Sequence, residues 1–303
     1  MSSLPYAVYS IVTFINGNLK NISDVKKYLE KYGIQKAKRI KPLRKGGNGT
    51  VYECKVLNYK FALKEFARND DGKFSYKIES KAINTINKSK GVCPIINAEI
   101  VNKKYVIMDM FDGDLMFLSR NLLDVSYMRA KIAAKLAHRF LSDILCFANK
   151  VHLYYMDFKL ENALFKIDEG DVTLRLADFG SFERFKDNVF PNDINMDNYA
   201  TFSIPSDEEK DFKTHVCFQV AVAAYEFYFG DSYKNLSHSI KKKVRKKKVK
   251  NMISSCKEIE AFKGWMPSFL EGTPDVESLN DVADEVSDDE LYKYIIKYEG
   301  FDL

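Results

Sequence analysis

Tyr155-Met156-Asp157-Phe158-Lys159-Leu160-Glu161-Asn162-Ala163-Leu164, followed after the β-like run Val172–Leu176 by Ala177-Asp178-Phe179-Gly180, holds the densest chemistry in the chain. Asp157, Asn162 and Asp178 offer hard oxygen donors, the ligand type that suits Mg²⁺ bridging a polyphosphate. Asp157 also suits the base that orients an attacking hydroxyl. Lys159, two residues on, is placed to spread the charge of a transferring phosphate. Just upstream, Ile132, Leu136, Phe140, Ile144 and Ala148 recur every four residues. That stripe predicts a helix over about Tyr127–Asn149 with one face on a core.

Working back toward the N-terminus, Gly46-Gly47-Asn48-Gly49-Thr50-Val51 lies between two β-like runs. Glycines let backbone N–H groups approach phosphate oxygens closely, although a glycine cluster between strands also reads as a plain hairpin. Thirteen residues after Val51 comes Lys64, a single cation closing the apolar run Phe61-Ala62-Leu63. Taken alone it reads as a lysine snorkelling from a strand edge. Glu79, in the next helical stretch, is the candidate to pair with Lys64 and hold it against a phosphate.

The surrounding composition narrows the class. With 303 residues, 46% apolar and 29% charged, the chain has ample core material and is not disordered in bulk. Its longest apolar stretches fall short of the roughly 20 residues a membrane span needs. Ala7–Ile15 lacks the flanks of a secretory signal and reads as a packed helix. Cys54, Cys93, Cys146, Cys217 and Cys256 are scattered and odd in number, which suggests neither disulfide framework nor zinc site and fits a reducing intracellular compartment, not a secreted protein. Residues 1–50 carry ten Lys or Arg against two Asp or Glu, whereas 271–303 carry two against eleven.

The order of patterns predicts α+β architecture with two lobes, β-rich then helical, and a ligand cleft between them. Short β-like runs (VYECKV, KFALKEF, YVIMDM) and a helical stretch near Lys77–Asn87 fill the region from about Ala37 to Met110. Before them, Val25 and Leu29 at i,i+4 and a stop at Gly33 mark a helix. After them come an apolar helix over about Val216–Phe229 ending at Gly230, and a last helix opened by the capping box Ser287-Asp-Asp-Glu290. The expected partition is an N-terminal helical extension over 1–36, a first lobe over 37–111 and a second over 112–303.

Taken together, these segments resemble the eukaryotic-type protein kinases, whose glycine-rich loop, strand lysine, helix glutamate, catalytic loop and D-F-G triplet occur in this order. The resemblance spans about Ala37 to Gly230, with weaker support to about Leu270. It implies a bilobal, serine/threonine-class kinase using ATP and Mg²⁺ on protein substrates. By that likeness Gly46, Gly47, Asn48, Gly49 and Val51 cover the ATP phosphates, and Lys64 contacts the α- and β-phosphates while pairing with Glu79. Val51, Ala62 and Leu164 sandwich adenine, Met108 is the gatekeeper, and Asp109, Met110 and Phe111 form the hinge. Asp157 is the base, Lys159 stabilises the γ-phosphate, and Asn162 and Asp178 hold Mg²⁺. In its compactness the chain resembles kinases of large DNA viruses, and its Lys-, Asn- and Ile-rich composition is compatible with an AT-rich genome.

The departures from the family are specific. Arg44 stands where the first loop glycine belongs, and H-R-D reads Tyr155-Met156-Asp157, with Tyr155 expected to stack on Phe179. Met156 removes the arginine that in relatives grips a phosphorylated loop. Activity is therefore expected without phosphorylation of Ser181, Tyr199, Thr201 or Ser203; an enzyme silent after complete dephosphorylation and revived by rephosphorylation would refute this. Ile204-Pro205-Ser206 is the nearest match to A-P-E, and Val216 occupies the place of an aspartate that in relatives braces the catalytic loop. The divergence deepens after Gly230.

Lys241–Lys250 holds eight cations in ten residues. It reads as a docking patch for an acidic partner, a nuclear-import signal, a nucleic-acid contact or a solvated face balanced by Glu271–Glu290. His138, His152, His215 and His238 show no metal spacing, and Trp265 reads as a core anchor. Three rival readings remain at this level: an inert pseudokinase scaffold, which Lys64, Asp157, Asn162 and Asp178 argue against; a small-molecule kinase, which Lys159 and Phe179 argue against; and a binding module centred on the basic run, which would need steep salt dependence of nucleic-acid affinity.

Overall fold

The computed structural model describes residues 19–89, 94–121, 126–185, 211–229 and 242–299. The predicted helix Ala7–Ile15, together with Cys93, Tyr199, Thr201, Ser203, Ile204-Pro205-Ser206, Gly230, His238 and Lys241, lies outside the described residues. The chain is of mixed α+β class, with a β-rich N-terminal region and a mostly helical C-terminal region. It divides into two compact units, Met1–Gly91 with Ile95–Met110, and Val92–Pro94 with Phe111–Leu303.

In the first unit, helix α1 (Ile22–Tyr32) starts where the Asn21 side chain accepts the Asp24 N–H at 3.0 Å. It stops at Gly33, whose φ of 92° lets its N–H return to the Leu29 carbonyl at 2.8 Å. Strands β1 (Lys38–Gly46), β2 (Gly49–Val56) and β3 (Tyr59–Phe66) precede helix α2 (Asp70–Lys88), and β4 (Ala98–Asn102) and β5 (Tyr105–Met108) follow it. They form one antiparallel sheet in the order β1-β2-β3-β5-β4. The edge strand β1 is exposed throughout and carries Lys38, Arg39, Lys41, Pro42, Arg44 and Lys45, residue types that discourage edge-to-edge pairing.

Strand periodicity sorts the side chains onto two faces. Register puts Phe61 opposite Cys54 and Leu63 opposite Ile107 on one face, and Lys64 opposite Val51 and Val106 on the other. Helix α1 covers the first face, where Ile22, Val25 and Leu29 join Cys54, Val56, Phe61, Leu63 and Ile107 in one buried cluster. The N-terminal helix is thus core material of this unit. Leu29→Ala is expected to cost about 2–5 kcal/mol, read as a lower denaturant midpoint at unchanged m-value; an unshifted midpoint would show that α1 contributes little.

The second unit opens with β6 (Gly113–Asp114), α3 (Leu115–Asn121) and α4 (Tyr127–Val151). Ser126 caps α4 by accepting the Arg129 N–H at 3.2 Å. Strands β7 (Tyr154–Tyr155), β8 (Ala163–Asp168), β9 (Asp171–Leu176) and β10 (Phe182–Glu183) make two small sheets, β6-β8-β9 and β10-β7. Helix α5 (Phe212–Phe229) begins four residues before the predicted Val216. It is apolar almost all round and buried accordingly.

Helices α6 (Lys242–Lys257), α7 (Glu260–Lys263), α8 (Met266–Glu271), α9 (Val276–Asp284) and α10 (Asp288–Glu299) complete it. Trp265 is fully buried, donates to the Ala261 carbonyl at 3.0 Å and meets Phe262 and Phe269 edge-on, as a core anchor does. The capping box at α10 forms: the Ser287 hydroxyl accepts the Glu290 N–H at 3.2 Å and the Glu290 carboxylate accepts the Ser287 N–H at 2.8 Å. No helix among the described residues is long and apolar enough to cross a membrane.

Candidate functional site

Each unit assembles its own set of the predicted residues. In the first, Lys64 reaches Glu79 with its Nζ at 2.5 and 2.6 Å from the two carboxylate oxygens. Glu79 is buried, and Ser75, one turn earlier on α2, donates its hydroxyl to Oε1 at 2.7 Å. A buried carboxylate needs such partners, so the pair holds the lysine in one orientation. Ser75 is a residue that sequence reasoning passed over, although its i,i+4 spacing from Glu79 was legible.

Ala62 sits opposite Met108 in register, so both share the face that carries Lys64 and Val51. The Asp109 N–H is taken by the Asn97 carbonyl at 3.1 Å, and Asn97 donates to the Asp109 carboxylate at 2.6 Å. Met110 and Phe111 fall on the boundary between the two units.

The glycine turn separates into two roles. Gly46 pairs with Gly49 across the two-residue tip Gly47-Asn48. A Cβ on Gly49 would lie 2.3 Å from the Glu65 carbonyl oxygen, so strand packing alone demands glycine there. At Gly46 or Gly47 a Cβ would meet nothing within 4 Å. The bare backbone at those two positions is not required by internal packing, which fits close approach of a ligand. Arg44 lies exposed on β1.

In the second unit, Asp157 is buried and its carboxylate is ion-paired with the Lys159 ammonium. The short turn Leu160–Asn162 places Asn162, fully buried, so that its Nδ2 donates to the Asp157 carbonyl at 3.1 Å. Ala163 pairs with Leu176, and the Ala177 N–H donates to the Asn162 carbonyl at 2.7 Å. The β8–β9 hairpin therefore brings Asn162 and Asp178 to the same end. Leu164 is half-buried on β8, opposite Asp114 and Arg175.

Asp178 has left-handed backbone angles, φ 65° and ψ 80°, a conformation that costs a non-glycine residue about 1–3 kcal/mol. Its carboxylate is steered by the Gly180 N–H at 3.1 Å and the Ser181 hydroxyl at 3.0 Å. Each carboxylate oxygen retains a further lone pair, and Asn162 contributes a neutral amide, so the donor set is oxygen-rich and fits a hard divalent cation that draws its other ligands from phosphate and water. Burial first, then the Asp178 and Asp157 carboxylates, push the Tyr155 phenol well above its ordinary value.

One expectation is corrected. Tyr155 does not stack on Phe179; its ring meets Phe182 at 4.9 Å, because its hydroxyl is drawn to the Ala177 carbonyl at 2.8 Å. Ser181 is buried and spends its hydroxyl on Asp178, so it is a structural group and not an accessible phosphate acceptor.

Sequence reasoning also missed His215 and Gln219. Both sit on α5 and reach the Met156–Phe158 backbone, whereas Val216 is a buried apolar residue. The signal that could have found them is their polarity within an otherwise apolar helix, since buried polar groups must find partners.

The chain matches no protein-family model and no curated protein.

Proposed function

We propose that this chain is a divergent protein kinase of bilobal fold, intracellular, which transfers the γ-phosphate of ATP to serine or threonine hydroxyls of a protein substrate. The observation that carries the reading is the Lys64–Glu79 pair, in which one buried glutamate on α2 grips the lysine of β3 through both oxygens. A merely snorkelling lysine would not be held this way. The pairing follows from two sequence positions fifteen residues apart.

The roles then divide by unit. In the first, the backbone at Gly46 and Gly47 and the Lys64 ammonium bind the nucleotide phosphates, while Val51, Ala62 and Met108 offer an apolar face to the base. In the second, Asn162 and Asp178 would hold Mg²⁺, which when bound neutralises developing phosphate charge. Asp157 accepts the substrate hydroxyl proton at its carboxylate, and Lys159 orients that carboxylate and offsets charge beside it. Catalysis of this kind rests on positioning and electrostatics. The basic run that continues into α6 is proposed as a docking patch for an acidic protein partner; few aromatics interleave with its cations, which disfavours single-stranded nucleic acid.

The test is transfer of labelled phosphate from ATP and Mg²⁺ to generic acidic and basic protein substrates by the purified full chain, run beside Asp157→Asn. Transfer by the wild type and none by the variant supports the reading. Equal, background-level signal from both would overturn it and leave an inert kinase-shaped module.

A further inference from the structure

We infer that Gln219 is a positioning residue that holds Asp157 in place for catalysis; the inference rests on the kinase reading above. Gln219 is fully buried in the middle of α5. Its Oε1 accepts the Phe158 N–H at 3.0 Å and its Nε2 donates to the Met156 carbonyl at 2.7 Å. Those two backbone groups flank Asp157, so a single side-chain amide grips the loop on both sides of the proposed base. His215, one turn earlier, places its Nε2 at 3.2 Å from the same Met156 carbonyl. Burial drives its imidazole down to about 4, against the opposing pull of the Met156 carbonyl and the Asp157 carboxylate. It is therefore neutral near pH 7, and the tautomer protonated on Nε2 completes the carbonyl's second bond. From the other side the Met156 N–H is held by the Ser181 carbonyl at 2.8 Å.

The chemistry of the clamp is specific to an amide. It must accept from the peptide on one side of Asp157 and donate to the peptide on the other, and both bonds lie in a buried setting where losing either leaves an unmet polar group. An alanine at 216, 219 or 215 could do neither, and a carboxylate could only accept. The ionisable groups of the surrounding loop and helix include Tyr155, Asp157, Lys159, Glu161, Asp178, Lys213, His215, Cys217 and Glu226, of which Glu226, pushed up to about 8 by burial and then by Glu161, titrates near neutrality; the clamp itself carries no charge.

Three variants of the full chain test this, with kcat, KM for ATP and thermal unfolding measured from pH 5.5 to 8.5. Gln219→Ala is expected to lower kcat about 10²-fold, the scale of a roughly 1 Å misplacement, while KM for ATP stays within about twofold. Gln219→Glu separates positioning from packing, because it preserves shape. Burial raises a carboxyl's pKa, so at low pH the protonated side chain donates to the Met156 carbonyl and accepts from the Phe158 N–H like glutamine. As pH rises and the proton leaves, the donor is lost and kcat falls relative to the wild type measured at the same pH, a comparison in which Glu226 titrates alike in both proteins. Should Gln219→Ala not fold, Gln219→Glu compared at the two pH extremes carries the test, with the unfolding midpoint showing that the protein remains folded at both. Asp157→Asn is the third variant. An active wild type, a silent Asp157→Asn and an unimpaired Gln219→Ala would overturn this inference alone. So would a Gln219→Glu whose kcat tracks the wild type at every pH. A wild type without phosphotransfer removes the kinase reading, and this inference with it.

Discussion

Asp157→Asn is expected to reduce phosphotransfer by about 10³- to 10⁴-fold, the upper range for loss of a positioned acid–base group. The side chain is buried and paired with Lys159. Asparagine keeps its shape and leaves untouched the backbone carbonyl that accepts from Asn162. What disappears is the carboxylate that takes the proton and anchors the lysine. The fold is expected to survive, since the Met156–Phe158 backbone is held by Gln219, His215 and Ser181 through peptide groups that the substitution does not alter. The measurement is kcat beside a thermal unfolding curve. A variant as active as the wild type would remove Asp157 from the reaction, and a variant that loses activity only because it unfolds would show the melting curve to prove it.

The largest expected stability effect lies at Arg129. This fully buried arginine directs Nε and Nη2 to the Phe227 carbonyl at 3.0 and 2.6 Å, and Nη2 also to the Ser119 carbonyl at 2.7 Å. It thereby ties α4 to the ends of α3 and α5 and places a cation at the C-terminal end of the α5 dipole, where positive charge is favoured. Charge-assisted hydrogen bonds contribute about 1.5–3 kcal/mol each, and truncation also leaves a cavity. Arg129→Ala is therefore expected to lose about 3–5 kcal/mol, enough to leave a marginal domain largely unfolded. Arg129→Lys should recover only part of this, because an ammonium on a flexible stem cannot fork between two carbonyls as a planar guanidinium does. Urea unfolding at constant pH reads both. Equal stability of Arg129→Ala and wild type would mean that the three hydrogen bonds merely replace equivalent bonds to water.

Periodicity made much of this architecture legible. The four-residue stripe from Ile132 to Ala148 named one face of α4, and the helix runs two residues past the predicted end because His152, in a left-handed conformation at φ 53°, closes it in place of a glycine. Ser287 and Glu290 announced the start of α10 through a local hydrogen-bond pattern that needs no distant partner. The Lys64–Glu79 pair was readable because a strand and the helix after it are close in sequence, so spacing constrains geometry.

What spacing could not carry was any contact whose cause is remote. Tyr155 was expected to follow aromatic attraction toward Phe179, yet the hydroxyl's need for an acceptor set its direction. By the resemblance Val216 stands where relatives carry a bracing aspartate, and the loss of that aspartate did not reveal that His215 and Gln219 reach the same loop.

By itself the sequence determined the class of elements and the candidate set of oxygen donors, lysine and glutamate, because both depend on neighbours within a few turns or one hairpin. Only the tertiary structure decided that α1 seals one face of that sheet, that Gly49 is demanded by strand packing while Gly46 and Gly47 are not, and that Gln219 grips the peptides on either side of Asp157 from more than sixty residues away. The physical reason is that a buried polar group is satisfied by whichever partner folding brings within about 3 Å, and chain order does not record that proximity.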